Sequence, residues 1–202
     1  MTTPESYRRK LPHIQPNDAV YFVTFSLKDS LPKHMVAEFS EAFGSIVGNM
    51  MNNTQIKAKA YKQYDEQIEE LLHSGKYGNQ WFKNPEVAQV IIDCFQYLDG
   101  RDFKLVCYCI MSNHVHFIAY NLKKSLHKIM HSLKSYSANE CNKLLNRKGS
   151  FWQREYYDRI IRDRNDLAHK IKYIIEKPVK ASIVGNWRDY PFTYCRLDFI
   201  DF

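Results

Sequence analysis

The chain has 202 residues, which is enough for one well-packed domain with additions or for two small ones at most. Hydrophobic residues make up 45% and charged residues 25%, proportions that exclude a low-complexity or fibrous protein. The 29 Lys and Arg against 22 Asp and Glu give a net charge of +7, which often accompanies nucleic-acid binding but also occurs on merely basic surfaces. The sequence contains no run of about 18 apolar residues and no apolar signal-peptide core, so we expect a cytoplasmic protein. Five cysteines favour reduced thiols over a disulfide framework.

The first half of the chain predicts one strand and several helices. A basic segment over 7–13 is either a solvated arm or an arm that contacts phosphate groups. The β-branched and aromatic run over 20–27 predicts a strand. A helical pattern extends from 35 to 72, and its second piece, from 57, is more charged. Another helix is predicted from 85 to 98, with Asn84 as its N-cap and Pro85 at its first position.

The second half of the chain predicts a hairpin and two further helices. Apolar runs over 103–110 and 114–120 form the hairpin, and a helix follows over 125–145. A strand over 158–162 then leads into a helix that ends at Pro178. The tail over 186–192 reads as irregular and aromatic. The order of these elements is typical of an α+β fold with helices on one face of an antiparallel sheet, for which the ferredoxin-like arrangement is the commonest form.

The segment His114-Val115-His116 carries the clearest chemical signal. Successive side chains of a strand point to opposite faces, so the two imidazoles share one face and can hold one divalent cation. A catalytic metal site usually needs a third protein ligand and open positions. Cys107 and Cys109 on the neighbouring strand could join a zinc site, but without CxxC spacing we favour core thiols.

Several motifs resemble those of the IS200-like single-tyrosine transposases, and most closely the REP-associated tyrosine transposases. They are Met111-Ser112-Asn113-His114-Val115-His116, Trp152-Gln153, Tyr173-Ile174-Ile175-Glu176-Lys177-Pro178-Val179 and the stretch from Trp187 to Phe192. The resemblance covers most of 7–34 and 80–194. It implies a single domain over 1–202 with a helical insertion at about 35–79.

The resemblance also implies an activity. It implies a ferredoxin-like HUH nuclease fold that cuts single-stranded DNA beside a hairpin, as a monomer or homodimer. His114 and His116 match the metal-binding pair, for Mg²⁺ or Mn²⁺, and Tyr173 matches the nucleophile that becomes linked to the DNA 5′ phosphate. An unperturbed phenol is a poor nucleophile at neutral pH, so this chemistry requires an electropositive site.

Lys177 departs from the family pattern. Relatives usually carry Asn or Gln four residues after the tyrosine, as the third metal ligand, whereas a lysine ammonium has no lone pair to donate. Three interpretations follow. Lys177 contacts the scissile phosphate, Glu176 or a water completes the metal shell, or cleavage has been lost while DNA binding survives.

Seven residues are predicted to contact DNA: Arg8, Arg9, Lys134, Gln153, Arg154, Tyr157 and Arg162. Tyr136, Tyr156 and Tyr157 are rival nucleophiles, although Tyr136 fits a buried helical stripe and Tyr156 and Tyr157 could stack on bases. The favoured function is a metal-dependent transposase. The alternatives are a DNA-hairpin-binding protein that has lost cleavage and a small metallohydrolase that uses a water nucleophile.

Overall fold

The computed structural model describes residues 5–8, 12–15, 19–32, 34–35, 37, 41, 67–72 and 77–199. Strands β1 (Glu5–Arg8) and β2 (Pro12–Gln15) pair as an antiparallel ribbon. Most of the predicted insertion at about 35–79 lies outside the described residues. Its described C-terminal part, 67–72, is helical and is called α1 here.

A five-stranded antiparallel sheet forms the centre of the protein. Its strands are β3 (Val20–Ser26), β4 (Lys104–Ile110), β5 (His114–Tyr120), β6 (Tyr157–Ile161) and β7 (Thr193–Cys195). They lie in the order β6-β3-β5-β4-β7, and every neighbouring pair is antiparallel. Without β7, this order is the ferredoxin-like arrangement, in which the first strand lies between the fourth and the third. The predicted α+β class is confirmed.

Two helices cover one face of the sheet. The first, α2 (Pro85–Leu98), begins where Asn84 accepts a hydrogen bond from Glu86 N, as the sequence predicted. The second is α3 (Leu126–Leu144). Their apolar stripes pack on alternate residues of the strands, and Phe25, Phe95 and Phe117 lie at the centre of this core. Because both stripes are buried in this one core, α2 and α3 lie on the same side of the sheet.

The opposite face carries the C-terminal helix, which corrects the prediction that all helices share one face. This helix is α4 (Arg164–Ile175), and the short helix α5 (Lys177–Lys180) follows it. Ile171 and Ile174 of α4 are fully buried against Phe22 and Ile118 of the sheet. Since those strand residues point away from α2 and α3, only a helix on the second face can cover them.

The tail is more regular than its sequence indicated. Residues Thr193–Cys195 add β7 to the edge of β4, where Cys195 pairs with Cys107. Tyr190 reinforces this edge, because its hydroxyl donates to the carbonyl of Ile110 at 2.9 Å.

No helix among the described residues combines the length and apolar character that a membrane span requires.

Candidate metal and nucleophile site

The two histidines lie on the sheet face that α4 covers. In the register of β3 and β5, His116 pairs with Thr24 and His114 pairs with Ser26. Both imidazoles are buried, and their ring centroids are 4.7 Å apart. The strand alternation therefore places both rings side by side, as the sequence predicted.

Hydrogen bonds fix the orientation of both rings. Asn113 Nδ2 donates to the carbonyl of Leu72 at 3.2 Å, which turns Asn113 Oδ1 to His114 Nδ1, at 2.6 Å. Because that oxygen only accepts, the proton of His114 lies on Nδ1. His116 Nδ1 lies 2.8 Å from Thr24 Oγ1. Each ring consequently presents a buried Nε2 atom to the site, which is the orientation that metal-binding histidines need.

The third candidate ligand is Glu69 of α1, which the sequence analysis missed. One ligand atom each from Glu69, His114 and His116 lie within 4.8 Å of one another. Glu69 Oε2 is 3.5 Å from His116 Nε2, and Thr24 Oγ1 is 3.4 Å from Glu69 Oε1. A carboxylate in a charged helix carries no pattern that marks it as a ligand, so no sequence signal distinguished Glu69 from its neighbours. Only the docking of α1 against the start of β5 reveals it.

These three groups fit a divalent cation. Two neutral imidazoles and one carboxylate form a donor set that Mn²⁺ and other first-row metals accept, and Mg²⁺ tolerates it. Their ligand atoms lie close enough together for one ion to take a donor atom from each of the three residues. With three protein ligands, such an ion would keep positions open for phosphate oxygens.

Tyr173 and Lys177 meet Glu69 in the same cluster. Lys177 Nζ donates to Glu69 Oε2 at 2.5 Å and to Tyr173 Oη at 2.6 Å. Helix α4 ends at Ile175 and Lys177 opens α5, yet the spacing of four residues still brings the ammonium to the phenol. Lys177 is only 4% exposed. The structure thus brings the predicted nucleophile, the unexpected lysine and one carboxylate into a single hydrogen-bonded group.

Glu69 is held in its ionised form. Burial by itself raises its pKa, but the Lys177 ammonium and the hydrogen bonds from Lys177 and Tyr173 outweigh burial and hold the pKa below its ordinary value. Glu176 has a different environment, because its carboxylate lies 3.8 Å from Lys172 Nζ and 3.4 Å from Lys180 Nζ. Glu69, rather than Glu176, is therefore the carboxylate beside the histidines.

A cleft of about 420 Å³ opens beside Tyr173. Its walls include Thr24, Glu69, Tyr157 and Lys170. Lys170 Nζ lies 5.1 Å from the centroid of the Tyr173 ring and adds a second ammonium near the phenol. Tyr157, predicted to contact DNA, therefore shares the cleft with the predicted nucleophile.

The other predicted DNA contacts lie in different places. Lys134, Gln153 and Arg154 line a separate cavity of about 280 Å³ beside α3, where Lys134 Nζ donates to the carbonyls of Gln153 and Arg154 at 2.7 and 2.9 Å. Arg162 is exposed just after β6. The backbone of Arg8 lies in β1, and Arg9 lies outside the described residues.

Tyr136 and Tyr156, two of the three rival nucleophiles, occupy other environments, whereas Tyr157 lines the cleft beside Tyr173. Tyr136 is 60% exposed on α3, so the prediction that it lies in the core is wrong. Tyr156 belongs to the core on the face opposite the histidines. Cys107 and Cys109 are buried free thiols outside the three-residue cluster, in agreement with the interpretation as core cysteines.

Comparisons with known proteins identify the family of this chain. A family model described as "Transposase IS200 like" matches residues 63–177, more than half of the chain and a span that includes all five residues of the cluster. A Haemophilus influenzae protein designated a REP-associated tyrosine transposase is 27% identical over 105 residues. The match covers 45% of this chain and 58% of that relative, so the chain spans little more than half of its length.

A solved structure shares the fold. It is described as a REP-associated tyrosine transposase bound to a REP hairpin, and it superposes with a TM-score of 0.51 at 16% identity. The superposition covers 94% of this chain and 81% of that one. With more than half of its length matched by the family model, the chain belongs to the IS200-like transposase family.

Proposed function

We propose that this protein is a metal-dependent single-stranded DNA endonuclease and strand transferase that forms a 5′-phosphotyrosine intermediate. The observation that carries the proposal is the convergence of Tyr173, Lys177 and a His-His-Glu cluster, of which Tyr173 and Glu69 line one cleft. A tyrosine beside a potential metal site and a buried ammonium has the surroundings that phosphoryl transfer by a phenol requires.

Each residue of the site would have a separate role in the reaction. Tyr173 Oη would lose its proton to water and attack the phosphorus, forming an O–P bond as the bond to the 3′ oxygen breaks, and the released 3′ oxygen would take up a proton from water. The Lys177 ammonium, 2.6 Å from Tyr173 Oη, would stabilise negative charge on that oxygen. His114, His116 and Glu69 would hold the divalent ion, Mg²⁺ or Mn²⁺, which supplies charge stabilisation at the phosphate when bound.

The proposed substrate is single-stranded DNA that carries a hairpin. The family model and the fold of a transposase solved on a REP hairpin support this choice. The net charge of +7 favours a phosphate backbone as partner. Lys170 and Tyr157 in the cleft would contact the strand next to the scissile bond, and Arg154 would contact the DNA beyond it.

A covalent adduct tests the proposal. The probe is a pool of labelled single strands, each with one stem-loop and randomised flanks, incubated with Mn²⁺ or Mg²⁺ and separated on a denaturing gel. We expect a labelled protein band from the wild type and from Tyr136→Phe, and none from Tyr173→Phe or with a chelator present. An adduct that persists in Tyr173→Phe and disappears in Tyr136→Phe would contradict the assignment of the nucleophile.

Further outcomes separate the proposal from its alternatives. Binding of the pool without any adduct, with either metal, would overturn the cleavage step. Strand cleavage that is unaffected by Tyr173→Phe would indicate a water nucleophile instead.

A further inference from the structure

A single carboxylate oxygen serves two neighbours in the cluster. Glu69 Oε2 accepts a hydrogen bond from Lys177 Nζ at 2.5 Å, and the same oxygen is 3.5 Å from His116 Nε2. The second oxygen, Oε1, has Thr24 Oγ1 at 3.4 Å. The oxygen that faces the histidines is therefore the one that the lysine occupies.

The charges of the cluster balance without a metal ion. Lys177 is 4% exposed and the Glu69 side chain is 14% exposed, so the pair is largely removed from water. A buried carboxylate needs a compensating cation, and the ammonium supplies one here. A divalent ion on the histidines would need the same oxygen and would repel the same ammonium.

We propose that Lys177 is a resident cation that competes with the divalent metal for Glu69, so that metal binding displaces Lys177 from this carboxylate. The inference rests on the metal site of the proposed function. Displacement leaves Tyr173 Oη, already at 2.6 Å, as the partner that Lys177 retains. The contacts of Lys177 would thus depend on whether metal is bound.

This arrangement explains how the position four residues after Tyr173 can be a lysine, although the resemblance implies an amide there. An amide four residues after the tyrosine can donate an oxygen to the ion, whereas an ammonium cannot. A ligand from α1 makes the amide unnecessary, and the lysine can then pair with that ligand before the metal arrives.

Metal affinity measured without DNA tests the inference. Free Mn²⁺ is counted from its aqueous EPR signal during titration of the wild type, Lys177→Met and Lys180→Met. We expect Lys177→Met to bind Mn²⁺ at least about tenfold more tightly than the wild type, because the competing charge is removed. Lys180→Met is the matched control, since its side chain is 56% exposed and pairs with Glu176 rather than Glu69, and its affinity should match the wild type.

A double variant shows whether the gain in Mn²⁺ affinity depends on Glu69. In a Glu69→Gln background, Lys177→Met should no longer raise the affinity, because the contested carboxylate is absent. Lys177→Gln provides a second neutral side chain should the methionine variant fail to fold. In the wild type, Mg²⁺ should shift the ¹⁵Nζ resonance of Lys177, which is assigned by its loss in the variant.

The outcomes separate this inference from the proposed function. The competition is overturned if both Lys177→Met and Lys177→Gln bind Mn²⁺ no more tightly than the wild type. It is also overturned if Mg²⁺ does not shift the Lys177 resonance. Failure of every variant to bind Mn²⁺ overturns the metal site and the competition together. If Lys177→Met binds Mn²⁺ more tightly while the wild type forms no DNA adduct, that result supports the competition and overturns only the cleavage proposal.

Discussion

Removal of the lysine charge from the Glu69–Lys177 pair should destabilise the metal-free protein in a pH-dependent way. In Lys177→Met, the carboxylate of Glu69 loses the ammonium at 2.5 Å and remains largely buried. Breaking a buried ion pair by removing one partner typically costs about 3–5 kcal/mol. Glu69 can limit this cost by taking up a proton, which at pH 7 costs about 3.7 kcal/mol for a carboxyl whose ordinary pKa is near 4.3. We therefore expect a loss of about 2–4 kcal/mol at pH 7.

The sign of the pH dependence follows from the direction of the pKa shift. In the wild type the pKa of Glu69 is lowered, so the pair contributes stability above the ordinary carboxyl pKa and loses it as the pH falls through the folded pKa. In Lys177→Met the cost of protonation falls to about 1 kcal/mol at pH 5. The difference between variant and wild type should shrink by about 2 kcal/mol between pH 7 and pH 5.

Urea unfolding at both pH values, with a chelator present, measures this difference. The exposed Lys180→Met variant should stay within about 0.5 kcal/mol of the wild type. The double variant Glu69→Gln/Lys177→Met should recover much of the loss, because no buried charge remains. A Lys177→Met loss below about 0.5 kcal/mol at pH 7, or one that is equal at both pH values, would refute the buried-pair account.

Three further predictions concern residues around the site and in the core. Thr24→Val should weaken Mn²⁺ binding by about 10–100-fold by EPR titration, because it removes the group that orients His116; unchanged affinity would contradict this role. Burial raises the pKa of the Cys109 thiol to about 12, so iodoacetamide at pH 8.5 should label Cys109 only after unfolding, as mass spectrometry of native and urea-treated protein can show. Arg154→Ala should lower the salt dependence of hairpin binding by up to about one unit of slope, and an unchanged slope would place Arg154 away from the DNA.

The sequence predicted most of the fold from local patterns. Strand alternation placed His114 and His116 on one face, and the Asn84-Pro85 pair marked the start of α2 correctly. The placement of α4 was wrong, because periodicity identifies a buried stripe but not which face of the sheet receives it. The β7 strand was missed because three residues at a sheet edge carry too little pattern, and their pairing depends on the exposed edge of β4.

The candidate site also has one part that the sequence identified and another that only the tertiary structure revealed. Strand alternation by itself placed His114 and His116 on one face, whereas Tyr173 and Lys177 were identified through the resemblance of their motif to that of the family. Only the tertiary structure supplied Glu69, which is 108 residues from Lys177 in the chain yet shares a hydrogen bond with it. That contact depends on the docking of α1 beside β5. Burial of α1 and the hydrogen bond from Asn113 Nδ2 to the carbonyl of Leu72 stabilise this docking. No local pattern encodes such a long-range contact, so the partner of Lys177 was decided by packing.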